Sequence, residues 1–345
     1  MGDSISILER LPKVDLHVHL DGSIKPETVL DLSIEEDVSL PSNNITDLRN
    51  LLGIHGSCIS LREYLSKFEL VSKLLHSERA LERVAFEIVE QASAQNCKYI
   101  EVRFAPQQHR EKGLRIDEVL QAVIRGLKRG NETFDVKARV IACCMRHHSI
   151  KQNMEVIEVA SHFLHKGLVA VDLAGDEAEY PAYLHLEVFQ YANKKGIPVT
   201  IHAGEAGGPE NIYDAVTKLC ANRIGHGVRL RENQKIYDFI RDQKIPLEMC
   251  PISNIQTKAS KSWSDYPLKE YYEKGINITI NTDNLTVSNT NLVKEYKIIM
   301  EKYKFTLKDI SNFILNGLQA SFLPEGEKKM LTDKYREEFL KVGLY

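Results

Sequence analysis

Two histidines spaced two apart, His17 and His19, close an apolar run at 14–20. If that run is a strand, alternation turns both imidazoles to the same face, where they can share a metal ion. Alone, such a pair equally describes two hydrogen-bonded core histidines. Their company changes the reading. His202 ends a run at 198–202 and is followed by Ala203-Gly204-Glu205; His226 ends a run at 223–226; Asp283 directly follows a run at 277–282. Each of these can be structural by itself, since a strand-end Asp often caps a helix. Together, at the C-terminal ends of four strands, they form a set that gathers wherever those ends converge. Three imidazoles and a carboxylate suit Zn²⁺ with a water completing its shell, which would bring that water's pKa toward neutrality. Imidazole also suits other first-row ions, so residue types leave the metal open. Glu205, three residues beyond His202, can reach a substrate rather than the metal, the position of a general acid or base.

The elements that must position these groups are legible as short apolar and β-branched runs at 14–20, 99–104, 138–145, 169–174, 198–202, 223–226, 246–250 and 277–282. Such runs suit strands buried on both faces of a parallel sheet. Helical periodicity lies between them, as in Leu81, Val84, Ala85, Ile88, Val89 and Ala92, or Ile212, Ala215, Val216 and Leu219 behind Pro209. Eight βα units predict an α/β fold, a (β/α)8 TIM barrel. Roughly 80 residues separate the first strand from the second, far more than one helix and two loops need. Extra helices are therefore expected there, one starting at Pro26-Glu27-Thr28. The insertion, at about 26–90, would form a helical lid over the barrel mouth, with residues 40–60 as its loop part. Residues 1–345 are read as a single domain.

With these pieces in place, Leu11-Pro12-Lys13-Val14-Asp15-Leu16-His17-Val18-His19-Leu20-Asp21-Gly22 resembles the opening of adenosine deaminases. Further matches follow in family order: Cys144-Met145-Arg146-His147, Asp172-Leu173-Ala174-Gly175-Asp176-Glu177, His202-Ala203-Gly204-Glu205, Ile224-Gly225-His226-Gly227, Cys250-Pro251-Ile252-Ser253-Asn254 and Asn281-Thr282-Asp283. The resemblance spans residues 11 to about 325. It implies one Zn²⁺ per subunit and hydrolytic deamination of adenosine and 2′-deoxyadenosine, in purine salvage. It also implies His17, His19, His202 and Asp283 as metal ligands, and Glu205 as the proton donor to purine N1. His226 would orient the attacking hydroxide, and Asp283 would accept a hydrogen bond from it. The resemblance sets His19, Asp21, Gly175 and Asn284 against the substrate, Asp21 accepting from the ribose 5′-hydroxyl and the Gly175 amide donating to N3. Many members carry an acidic residue after the ligand Asp, where it contacts N7; this chain has Asn284, whose amide donates at any pH.

Composition narrows the alternatives. Lys and Arg total 45 against 48 Asp and Glu, a net charge of −3, with no basic stripe to suit nucleic acid. A small-molecule partner, a purine nucleoside, is expected instead. Six cysteines without C-x-x-C spacing read as reduced, mostly buried thiols of a cytoplasmic protein. No apolar stretch suits a bilayer, and residues 1–6 read as a flexible terminus rather than the myristoylation pattern they loosely fit. Within the enzymes, a sister deaminase acting on adenine or methylthioadenosine is the nearest rival. Asp21 weighs against a methylthio group, which would leave a buried carboxylate unpaired. A dinuclear amidohydrolase would be expected to carry a bridging lysine on the fourth strand, where this chain reads Asp172-Leu173-Ala174-Gly175. The P-C-x-x-C that nucleobase deaminases pair with H-x-E is absent.

Overall fold

The computed structural model describes residues 2–56, 58 and 61–344. Eight parallel strands form two four-stranded sheets: β1 (Lys13–His19), β2 (Cys97–Phe104), β3 (Lys137–Met145) and β4 (Leu168–Ala174), then β5 (Thr200–Ala203), β6 (Arg223–His226), β7 (Leu247–Met249) and β8 (Ile278–Ile280). Single parallel bridges join the sheets at both seams, Val171 to Val199 and Val18 to Asp283. The second seam is made by the Asp283 amide donating to the His17 carbonyl and the His19 amide donating to the Asp283 carbonyl, each at 2.7 Å. The ring is thus stitched shut by the backbone of the residues whose side chains line its mouth. This is the expected (β/α)8 barrel, each expected strand overlapping an observed one.

The strands are buried because their apolar residues meet a surrounding layer of helices, and one continuous apolar core runs from Leu8 to Phe339. Helix α1 (Gly2–Arg10) precedes β1, and α2 (Pro26–Glu35), α3 (Ile45–Leu52), α4 (Leu61–Ser66), α5 (Phe68–Ser72) and α6 (Glu78–Ala94) fill the long β1–β2 connection. Pro26 sits in the first turn of α2, where its missing N–H costs nothing. Downstream, α7 (Ile116–Thr133), α8 (Ile150–Phe163), α9 (Leu186–Lys194), α10 (Pro209–Thr217) and α11 (Gln234–Asp242) each follow one strand.

Two expectations are corrected. The terminus is helical from Gly2 rather than flexible, and the buried Leu8 in its last turn anchors it to the core. Met1, on which the lipidation pattern begins, lies outside the described residues. The 40–60 segment is not all loop, since it contains α3. Asn44 caps that helix by accepting from the Thr46 and Asp47 amides, and Leu48 and Leu52 bury its inner face. Of the cysteines, five are buried, Cys220 is half-buried, and all six are free thiols. Among the described residues no helix is long and apolar enough to cross a membrane.

Candidate metal centre and substrate cavity

The histidine tautomers follow from their neighbours. His17 Nδ1 donates to Glu248 Oε2 at 2.9 Å, which leaves Nε2 as a bare lone pair. That nitrogen is fully buried and has no hydrogen-bond partner. His202 Nδ1 likewise stands 2.9 Å from Asp172 Oδ2, so its Nε2 is also bare. It faces His19 Nε2 at 3.3 Å. Two acceptor nitrogens so close repel one another unless a proton or cation lies between them. Asp283 Oδ1 is 3.5 Å from His17 Nε2 and 3.4 Å from His19 Nε2, while its other oxygen accepts from Ser253 Oγ at 2.6 Å. Ligands about 2.0–2.1 Å from a tetrahedral zinc stand roughly 3.3–3.4 Å apart. The three separations His19–His202, His17–Asp283 and His19–Asp283 are of that order.

His226 also falls within 4.8 Å of His17, His202 and Asp283, and Cys250 within 4.8 Å of Asp283, yet both are poor ligands. Asn254 Oδ1 accepts from the Cys250 amide, an unambiguous donor, and from Tyr266 Oη. Its Nδ2 must then be the group that donates to His226 Nδ1, at 2.9 Å. The His226 proton is left on Nε2, 3.6 Å from Glu205 Oε2, where it can donate but not coordinate. Burial holds the His226 pKa well below its usual value, so the ring stays neutral. Burial raises the Cys250 thiol pKa in the same way and keeps it protonated.

Beneath the donors lies a buried ionic network. Arg103 bonds Asp172 at 3.0 Å and Glu248 at 2.7 Å. Arg223 bonds Glu248 and Glu101, each at 2.6 Å. With Asp283, reached through His17, four carboxylates oppose two guanidinium groups. Carboxylates outnumber guanidinium groups in this network, an environment that suits a bound cation. Burial alone would protonate Glu248, but Arg103 and Arg223 hold it well below the ordinary carboxylate range. None of Arg103, Glu101 or Glu248 stands out from motif reading alone. The available signal was a charged residue inside an otherwise apolar parallel-strand run, which the barrel interior must neutralise.

Above the donors is a cavity of about 320 Å³, lined among others by His19, Asp21, Tyr64, Gly175, Glu205 and Asn284. Glu205 is carried just past β5. Burial pushes its pKa up to about 8, helped by the charges of Asp283 and Glu177, so it carries a proton at neutral pH. Thr257 donates to its Oε1 at 3.2 Å. Asp21 is likewise raised by burial to about 6. Gly175 adopts φ +107, a conformation that L side chains rarely take. Asn284 donates through Nδ2 to Tyr64 Oη at 2.9 Å, which leaves one amide N–H, while its buried Oδ1 has no partner. Tyr64, on α4, went unread in the sequence, and only a fold could bring it there. His147 lines the cavity too. Trp263 lies outside the cavity lining, its carbonyl accepting from Tyr303 Oη at 2.6 Å. His226 and Asp283 both adopt positive φ, +63 and +61, the kind of backbone strain that clusters at active sites.

Comparison with known proteins shows the family and the fold. Residues 12–338 match the sequence model of the family described as Adenosine deaminase. An adenosine deaminase of Clostridium botulinum (strain Okra / Type B1) is 42% identical over 330 residues, covering 95% of this chain and 98% of its own. Among solved structures, the N6-mAMP deaminase of Arabidopsis superposes with a TM-score of 0.86 at 25% identity, covering 96% of this chain and 99% of its own. An amidohydrolase from Burkholderia ambifaria with bound zinc shares the fold at a TM-score of 0.89 and 21% identity, covering 98% of this chain and 93% of its own.

Proposed function

The chain belongs to the adenosine deaminase family, and from that premise we propose zinc-dependent hydrolytic deamination of adenosine and 2′-deoxyadenosine to inosine and 2′-deoxyinosine, with release of ammonia, in cytoplasmic purine salvage. The observation that carries this reading is the convergence of His17, His19, His202 and Asp283 at the barrel mouth beside a buried, protonated Glu205.

The residues that would hold the ion are His17, His19, His202 and Asp283. A bound Zn²⁺ would supply a hydroxide nucleophile at neutral pH. Glu205 gives its proton to purine N1, which makes C6 electrophilic as attack begins. His226 donates from Nε2 to the attacking oxygen and so holds it on line, a role that its fixed tautomer supports. Asp283 accepts the remaining hydrogen bond of that oxygen. The first proton lost by water ends on the departing amine, and the hydroxyl proton of the C6 adduct returns to Glu205 as the carbonyl forms, so one water and one nucleoside give one inosine and one ammonia. Asp21 accepts from the ribose 5′-hydroxyl, the Gly175 amide donates to N3, and Asn284 uses its remaining N–H at N7. The 26–90 insertion acts as a lid of the single 1–345 domain and keeps bulk water from the reacting atoms.

A nucleoside fits better than its 5′-phosphate. Among the described residues no Lys or Arg lines the cavity, whereas Asp21, Asp176, Glu205 and Asp283 do. A phosphate brought there would meet carboxylates without a cation to pair with. The test is ammonia release from adenosine, 2′-deoxyadenosine, adenosine monophosphate, adenine and methylthioadenosine in parallel. The two nucleosides with a free 5′-hydroxyl are expected to turn over at least about a hundredfold faster than the rest, by the penalty for an unpaired buried polar group. Preference for the monophosphate or for methylthioadenosine would refute the substrate assignment.

A further inference from the structure

Glu177 lies in the loop after β4, nearly fully buried at 2% exposure, and touches no catalytic atom. Its carboxylate accepts four consecutive backbone amides of the loop that carries the proton donor. Gly204 donates to Oε1 at 2.7 Å; Glu205, Ala206 and Gly207 donate to Oε2 at 3.0, 3.0 and 2.8 Å. A carboxylate can take this many donors because it has two oxygens and no proton of its own to place. The carbonyls of the same loop are tied as well, Gly204 to the Arg229 amide at 2.9 Å and Ala206 to Arg229 Nη1 at 2.8 Å. Arg146 fixes the strand end just before it by donating from Nη2 to the His202 carbonyl at 2.6 Å, and from Nη1 to the Tyr180 carbonyl at 2.5 Å. The packing leaves no slack. A Cβ at Gly207 would come within 2.7 Å of Glu177 Oε1 and 2.1 Å of Asn211 Nδ2.

We propose that Glu177 is the positioning residue of the reaction: it fixes the 204–207 backbone so that the Glu205 carboxyl is already aimed when the purine arrives. The inference rests on the assignment of Glu205 as proton donor. Because Glu177 follows Gly175 and Asp176, which line the cavity, the loop that receives the nucleoside and the loop that protonates it form one hydrogen-bonded body. A free loop would have to be ordered in each turnover, and misplacing a catalytic group by about 1 Å costs on the order of a hundredfold in rate.

The test is Glu177→Gln, whose amide nitrogen turns a donor toward backbone donors. Wild-type turnover of adenosine is measured beside it, so that failure of the functional assignment is seen separately. Glu177→Gln is expected to lower kcat about a hundredfold, with KM within about threefold of wild type and the zinc content unchanged. The 204–207 amides should lose hydrogen-exchange protection, a readout that does not depend on activity. A variant with wild-type kcat despite exchanging amides would overturn the proposal, as would loss of zinc or a rise in KM alone. If Glu177→Gln does not fold, Gly207→Ala applies a milder displacement at the same contact. It is expected to lower kcat roughly tenfold, and an unchanged kcat there would also overturn the proposal.

Discussion

Glu205 is the residue on which protonation chemistry and fold stability meet. Its pKa in the folded chain is raised to about 8, so folding favours the protonated form. The stability it withholds is nil at acid pH, grows as pH rises through the ordinary carboxylate range, and levels off above 8. Glu205→Gln mimics the protonated carboxyl at every pH. It is expected to retain zinc and to lose turnover by about 10²–10⁴-fold, while its metal-free form melts higher than wild type at pH 9 and alike at pH 4. Equal melting at both, or near-normal turnover, would contradict the assignment. Asp21 makes a second prediction at this scale. Asp21→Ala is expected to raise KM for adenosine by about tenfold or more and to leave that for 5′-deoxyadenosine nearly unchanged, as steady-state kinetics on both substrates would reveal. Glu205 was legible in the sequence from its place past a strand end, and Asp21 through the family resemblance of the stretch that holds it. Tyr64 and Glu177 were not, since their importance lies in what they touch: a hydroxyl 2.9 Å from Asn284, and four amides around one carboxylate.

The strands were readable because a parallel barrel buries both faces and so writes continuous apolar runs. The same logic concealed their charged members. Glu248 lies in a strand of three residues and accepts from His17, Thr200, Arg103 and Arg223. Glu248→Gln would leave two buried guanidinium groups short of a counter-charge, and breaking such a pair costs about 3–5 kcal/mol. It would also release the His17 ring, and loss of an outer partner of this kind weakens metal binding about 10–100-fold. Denaturant unfolding and competition with a zinc chelator measure the two effects separately. Helix α3 of the β1–β2 insertion was missed for the opposite reason. Its eight residues are too few for helical periodicity to stand out, and its stability comes from the Asn44 cap and from burial of Leu48 and Leu52.

For the whole molecule, the barrel concentrates negative charge on its axis and closes its sheet through Asp283 and His17. A divalent ion would relieve the charge and bridge that seam, so metal removal should act on the fold as well as on the chemistry. Binding to the folded chain alone stabilises it by RT ln(1 + [L]/Kd), about 4 kcal/mol at a thousandfold excess over Kd. Chelation is therefore expected to lower Tm by several degrees, and zinc to restore it. The most direct single measurement is ammonia release from adenosine by metal-stripped protein as zinc is added back. Turnover should be absent at the start, rise linearly, and reach its plateau at one zinc per chain. Full turnover in the stripped protein, or one bound zinc per chain without ammonia, would contradict a zinc-dependent adenosine deaminase built on His17, His19, His202, Asp283 and Glu205.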